Sequence, residues 1–333
     1  METIFIFFVL VAIAIYYFNK SNNSKKQTEN KLEKKFDKKR NVSVSQEKLD
    51  AVLFEYIIKN EDPSLIKEFI NSGANVNARL GNTLIGDKNN PQLNQYSDRT
   101  PIMAAATFNS NPEIIKILKN SGADINARDR NGWTPLMLAA QANNNLGVVE
   151  TLLEIGADVN LQQNETGVTA LVLGIINKEI SDEDKVKLIN ILIRNGADVN
   201  IQTNNQRTAL ILAAEHIRKV EGIEKLIEAG AHINHKDDQG WTPLITAAYY
   251  NPEPNVIRSL LKAGAHINET LENGVTVLMV AAKNNNPEVV QELLNGGAQS
   301  SLKCNNGFTA FDYAQNNEKI KNTNAYKQLQ ASF

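Results

Sequence analysis

A short string built on Gly-Ala-Asp-x-Asn recurs along this chain, starting at Gly73, Gly122, Gly156, Gly196, Gly230, Gly264 and, in degenerate form, Gly297. The steps between these glycines are 49, 34, 40, 34, 34 and 33 residues. A period near 33 residues marks a stacked array of supersecondary units, none of which can bury its apolar face alone. Function in such an array belongs to a long surface rather than to one catalytic pocket.

Residues 131–160, NGWTPLMLAAQANNNLGVVETLLEIGADVN, show the chemistry of one unit. Gly132 offers the positive φ of a tight turn. Thr134-Pro135 opens a helix, with threonine as cap and proline at the first helical position. Asn143 to Asn145 break that helix. Val148, Val149, Leu152 and Leu153 then form an apolar stripe at helical spacing, and Gly156 ends the second helix. The unit reads as turn, short helix, turn, longer helix, extended return.

The same columns run through the whole array. The helix-opening threonines are Thr100, Thr134, Thr169, Thr208, Thr242, Thr276 and Thr309. Small residues stand five positions later, from Ala105 to Ala314, and let neighbouring helices approach closely. Several second helices open with a cap and a proline: Asp62-Pro63, Asn111-Pro112 and Asn286-Pro287.

The pattern Gly-Trp-Thr-Pro-Leu-x-x-Ala-Ala, with Gly-Ala-Asp-x-Asn after the second helix, resembles the ankyrin repeat over residues 45–333. The resemblance implies an all-α solenoid of about eight stacked helix-turn-helix units joined by β-hairpin-like loops. It also implies protein binding through a concave face and hairpin tips. One departure recurs: the family's histidine after Thr-Pro-Leu is replaced by Met103, Met137, Val172, Ile211, Ile245, Met279 and Asp312, with loss of a family hydrogen bond. Asn-rich turns replace the Gly-His between the helices of many members.

Expected boundaries follow from these columns. Residues 46–78 form an N-terminal capping repeat, 99–304 six internal repeats and 305–333 a C-terminal cap with a polar second helix over Glu318–Gln330. The irregular steps place an exposed loop at about Leu80 to Asp98 and a lengthened turn at Asn177 to Asp184. Such insertions cost little in loop-closure entropy.

The chain begins differently. Ile4 to Phe18 contains no charge, and as a helix of about 1.5 Å rise per residue it is short for a membrane span. An uncleaved anchor (1–19) is the favoured reading, preceding the repeats as one hydrophobic helix, with Tyr16 and Tyr17 at the interface. A cleaved signal peptide is the alternative, although no basic n-region or A-x-A site is present. Residues 20–45 read as a flexible linker, and Lys20 to Arg40 carries a local +6. Basic residues after the span predict repeats on the cytoplasmic side. Cleavage would instead make the protein secreted or periplasmic, an exported effector-like array.

The body from Asn41 onward carries a net −7, which argues against nucleic acid as partner. One cysteine, Cys304, excludes an intrachain disulfide framework. No catalytic constellation or cofactor motif stands out, so no enzyme, cofactor or small-molecule substrate is expected. His232 and His235 are three apart, but His232 and His266 hold the same repeat position, and no metal site is expected. A regulatory subunit of an enzyme is the remaining alternative to a binding scaffold. Partner contacts are expected in the row preceding each threonine: Arg99, Trp133, Val168, Arg207, Trp241, Val275 and Phe308. Of these Arg99, Trp133, Arg207 and Trp241 are the anchor types favoured at interfaces, against a purely structural role for the row. Tyr249 and Tyr250 join the candidates, one facing the concave surface and the other in the core.

Overall fold

The computed structural model describes residues 46–59, 62–79 and 98–331. The expected N-terminal hydrophobic helix, the basic linker and the insertion over 80–97 lie outside them. Among the described residues no helix is long and apolar enough to cross a membrane.

The described residues form sixteen helices in eight antiparallel pairs. The first helices are α1 (Gln46–Lys59), α3 (Pro101–Phe108), α5 (Pro135–Ala142), α7 (Ala170–Ile176), α9 (Ala209–His216), α11 (Pro243–Tyr250), α13 (Val277–Asn284) and α15 (Ala310–Ala314). The second helices are α2 (Ser64–Asn71), α4 (Pro112–Asn120), α6 (Leu146–Glu154), α8 (Asp182–Arg194), α10 (Val220–Glu228), α12 (Pro254–Lys262), α14 (Pro287–Asn295) and α16 (Asn324–Ala331). First helices stack on first helices and second on second, giving two layers with one continuous core. No strand forms among the described residues; from Asp129 onward each hairpin-like loop is closed by main-chain bonds such as Asp129 N–H to the Trp133 carbonyl.

Helix starts follow the threonine column. The hydroxyls of Thr134, Thr169, Thr242, Thr276 and Thr309 each accept from the backbone N–H three residues on, satisfying a donor the helix leaves free. The expected loss of a bond at the replaced histidine is only partly right. The Met103 and Met279 sulfurs each accept from their threonine's N–H at 3.4 Å, and the Asp312 carboxylate accepts from Thr309 N–H at 2.7 Å. Three of the seven replacements thus close the first turn themselves.

Two boundaries differ from the sequence reading. The second insertion is less turn and more helix: Ser181 caps Asp184 N–H at 3.1 Å, so Asp182–Asp184 form the acidic first turn of a 13-residue α8. Carboxylates are favourable at that end of a helix dipole. The last second helix begins only at Asn324, because Asn317 takes Lys319 N–H and Asn322 sits at positive φ.

The units are clamped by two rows of asparagine. The Asn that closes the Gly-Ala-Asp-x-Asn string reaches the next unit: Asn160 Nδ2 donates to the Gly196 carbonyl and its Oδ1 accepts from Asp198 N–H. Asn77, Asn200 and Asn234 repeat the pair of bonds. The second row sits at the end of the first helices and points backward. Asn143, Asn251, Asn285 and Asn317 are buried and each donates to two or more carbonyls of the preceding unit; Asn109 donates to the Ile57 carbonyl and Asn177 to the Ala140 carbonyl. The Asn-rich turns are therefore cross-struts, not mere helix breakers. The row lapses once, at Ile217.

Candidate protein-binding surface

The six candidate contact residues divide into two groups. Arg99 and Trp133 lie toward the N-terminal half. Arg99 Nε is 3.8 Å from the Asp129 carboxylate of the next loop. Asp129 in turn accepts from Trp133 N–H at 2.9 Å, and the Trp133 ring packs on buried Met103, Ala127 and Leu138. Here the row serves the joint between units.

Arg207, Trp241, Tyr249 and Tyr250 come together. Trp241 leads into α11 and the tyrosines end it, and the helix brings the three rings to one place. Trp241 meets Tyr249 edge-on at 5.4 Å between centroids and lies 6.1 Å from Tyr250, and the two tyrosines are 4.4 Å apart. The expectation that one tyrosine is core is wrong: Tyr249 is 38% exposed and Tyr250 45%. The small residues Ala247 and Ala248 fill the buried positions before them, leaving the helix end outside the core.

Beside the rings, Arg207 is held by two carboxylates. Its Nη2 is 2.5 Å from Glu215 Oε2, and its Nε is 3.8 Å from Asp237 Oδ2. Asp237 also fixes the Trp241 loop by accepting its N–H at 2.8 Å. Partial burial raises the Tyr250 phenol above its ordinary value, and the Glu215 charge adds to the shift. Burial holds the neighbouring His216 imidazole below its usual value, against the pull of Glu215. On the other side of Arg207 a groove of about 210 Å³ opens between two loops, with Val168, Val172, Ile176 and Leu212 along its wall.

The histidines do not converge. His232 and His266 hold equivalent places on successive units, each giving its backbone N–H to an asparagine of the unit before, and His235 Nε2 lies 2.7 Å from the Gln206 carbonyl. Among the described residues no three His, Cys, Asp or Glu side chains are grouped as a metal site.

A family model described as ankyrin repeats (3 copies) matches residues 53–163, 177–271 and 247–329. The chain belongs to the ankyrin-repeat family. Its fold is similar to the crystal structure of the human ASB11 ankyrin repeat domain, at TM-score 0.58 and 25% identity, covering 71% of this chain and 98% of that one. As many as 542 solved chains match, so the likeness identifies the repeat fold and discriminates among no partners. No curated protein matches the sequence. Ankyrin repeats generally act as protein-binding modules, and this ankyrin array carries an exposed aromatic cluster on the unit of α11 and α12.

Sequence reasoning missed the backward-pointing asparagine row. The signal was present, since Asn109, Asn143, Asn251 and Asn285 each stand nine residues after their threonine. What hid it is that asparagine is also the commonplace residue of a turn.

Proposed function

We propose that this protein is a non-enzymatic interaction scaffold that binds a protein partner through the concave face and loop tips of its repeats. The observation that carries the reading is the Trp241–Tyr249–Tyr250 cluster. Three aromatic rings lie in mutual contact on the surface, with the two tyrosines more than a third exposed. A folded array gains nothing from leaving such rings half in water, whereas tyrosine, tryptophan and arginine are the side chains that dominate binding energy at interfaces. Arg207, pinned by Glu215 and Asp237, is preorganised beside them.

Cross-linking and affinity recovery with the full chain, repeated with Trp133→Ala and Trp241→Ala, tests the proposal. Loss of a partner on Trp241→Ala with retention on Trp133→Ala is the expected outcome, because the Trp133 ring is spent on the joint between units. Unchanged recovery with both variants sinks the loop-row reading.

We further propose that the scaffold is tethered to a membrane by residues 1–19, spaced by the basic 20–45 segment, with the repeats in the cytoplasm. The uncharged run Ile4–Phe18 followed by nine Lys or Arg in Lys20–Arg40 supports it. Domain limits of 46–78, 99–304 and 305–333 belong to the same proposal. Sequencing the N-terminus of the mature protein decides the matter: a chain that starts after residue 18 sinks the anchor and leaves an exported array.

A further inference from the structure

We propose that the aromatic cluster and the groove beside Arg207 together take an extended segment of a partner protein that carries a lysine or arginine a short distance from a large apolar side chain. This rests on the scaffold reading above and commits it to one chemistry.

Charge selects the cation. Arg207 is the basic side chain at the centre of the surface, and two carboxylates, Glu215 and Asp237, already neutralise it. These three groups sum to one negative charge, while His216, beside Glu215, has Lys178 and Lys185 near it. The body of the protein from Asn41 carries −7, the sign complementary to a basic segment. Tyr249 and Tyr250 are each more than a third exposed, and the Glu215 carboxylate acts on the Tyr250 phenol. A cation resting on a tyrosine face within reach of Glu215 gains both the ring quadrupole and the carboxylate.

Ring geometry argues against the rival occupants. Centroid distances of 4.4, 5.4 and 6.1 Å mean the rings pack on one another. They leave no slot between parallel aromatic ridges of the kind a polyproline segment enters. They also leave no gap for a cation enclosed on several sides. The cluster is a platform, and a cation would lie on it rather than inside it.

The apolar side chain belongs to the groove. Val168, Val172, Ile176 and Leu212 line it, and Arg207 lines the groove while its charge acts on Tyr250 of the platform. The groove lies between the units of α7 and α9, and the tyrosines lie on the next unit. With units stacked about 10 Å apart and an extended chain advancing about 3.3 Å per residue, the two anchors sit about three to five residues apart in the bound segment.

The test is a selection of displayed random dodecapeptides on the full chain. Synthetic versions of the selected peptides are then titrated by fluorescence anisotropy against the unaltered chain and against Tyr250→Ala, Glu215→Gln and Ile176→Ser. Tyr250 is exposed, so Tyr250→Ala keeps the fold, and circular dichroism verifies that it does. Expected are peptides with Lys or Arg about three to five residues from a large apolar residue. Their affinity falls about fivefold or more on Tyr250→Ala, a loss of the size a cation–π contact supplies, and falls also on Glu215→Gln and on Ile176→Ser; binding untouched by Ile176→Ser overturns the groove as the apolar anchor. Peptides that are acidic or proline-rich, yet weakened by Tyr250→Ala, overturn the cationic partner and leave the scaffold reading standing. Peptides indifferent to all three substitutions, or a selection that yields none, overturn both.

Discussion

The unit of α9 and α10 and the unit of α11 and α12 adjoin, share the same column pattern and are built to different standards. The α11 unit follows the rules throughout: Gly240 takes the positive φ of its loop, Thr242 caps with its hydroxyl, and buried Asn251 donates to the Ala214 and Ile217 carbonyls. The α9 unit breaks each of them. Gln206 occupies positive φ where its neighbour has glycine. The buried Thr208 hydroxyl makes no cap bond. Ile217 replaces the asparagine strut, fully buried, and Gly222 replaces the apolar residue that opens the second helix elsewhere.

The last two changes belong together. A Cβ built on Gly222 would lie 3.2 Å from Ile217 Cγ2, so the isoleucine fills the space the missing side chain vacated. A directional polar strut has been exchanged for undirected apolar packing. At that joint the helix ends are joined instead by charge: Lys219 pairs with Glu183 of α8, and Arg218 N–H donates to the Asp182 carboxylate at 3.0 Å. One joint of a regular array can thus be held by different physics from its neighbours while keeping the same backbone path. The surface that gathers Arg207 and Glu215 lies on this exceptional unit.

Four measurements break or sharpen the contrast, beginning with the largest. Asn285→Ala removes a strut that donates to the Ala248 and Asn251 carbonyls at 2.9 Å, both buried. Urea unfolding should show a loss of about 2–3 kcal/mol, the cost of leaving buried acceptors unpaired. A loss under about 0.5 kcal/mol means the struts are ornamental and the two joints are alike. Next, Gly222→Val forces a branched side chain against Ile217 and should cost about 1–2 kcal/mol through overpacking. The double change Ile217→Asn with Gly222→Val rebuilds the pattern of the other joints, so it should recover much of that loss. Strict additivity of the two substitutions would show that they are not a coupled exchange.

A smaller effect, of opposite sign, is expected in the loop. Gln206→Gly relieves the left-handed backbone at φ 58 and should stabilise by about 0.5–1 kcal/mol. A destabilised variant would mean the Gln206 side chain contributes more than its backbone costs. The smallest effect concerns the charged latch. The hydrogen bond and charge of Lys219 lower the Glu183 carboxyl below its ordinary value. A carboxyl lowered in the folded state contributes above its unfolded value of about 4.5, and that contribution fades as pH falls through the folded value. Glu183→Gln should therefore lower the urea midpoint slightly at pH 7, and the gap should close toward pH 3 and in high salt. A gap that persists in 1 M salt would rule out electrostatics as its origin.

Much of this was legible beforehand because it is written inside one unit. The threonine and small-residue columns, the turn glycines and the paired apolar positions are contacts between residues a few places apart, and they carried the family and the helix pairs. The candidate surface was legible only in part. Trp133 and Trp241 hold the same column, and nothing local separates the ring that packs on Met103 and Leu138 from the ring that meets two tyrosines. Equally, the α11 sequence alone placed one tyrosine in the core, because helical spacing does not reveal where the layer of neighbouring helices stops.

By itself, then, the sequence determined the period, the helix starts and stops and the apolar faces, since propensity, capping and amphipathicity act over one or two turns. Tertiary structure alone decided what the units do to each other. An asparagine becomes a strut only when carbonyls about 34 residues away are brought within 3 Å of it, as at Asn285 and Asn251. Arg207 becomes part of a surface only when Asp237, 30 positions on, is stacked beside it. Such contacts join residues of separate units, and their geometry exists only once the units are stacked.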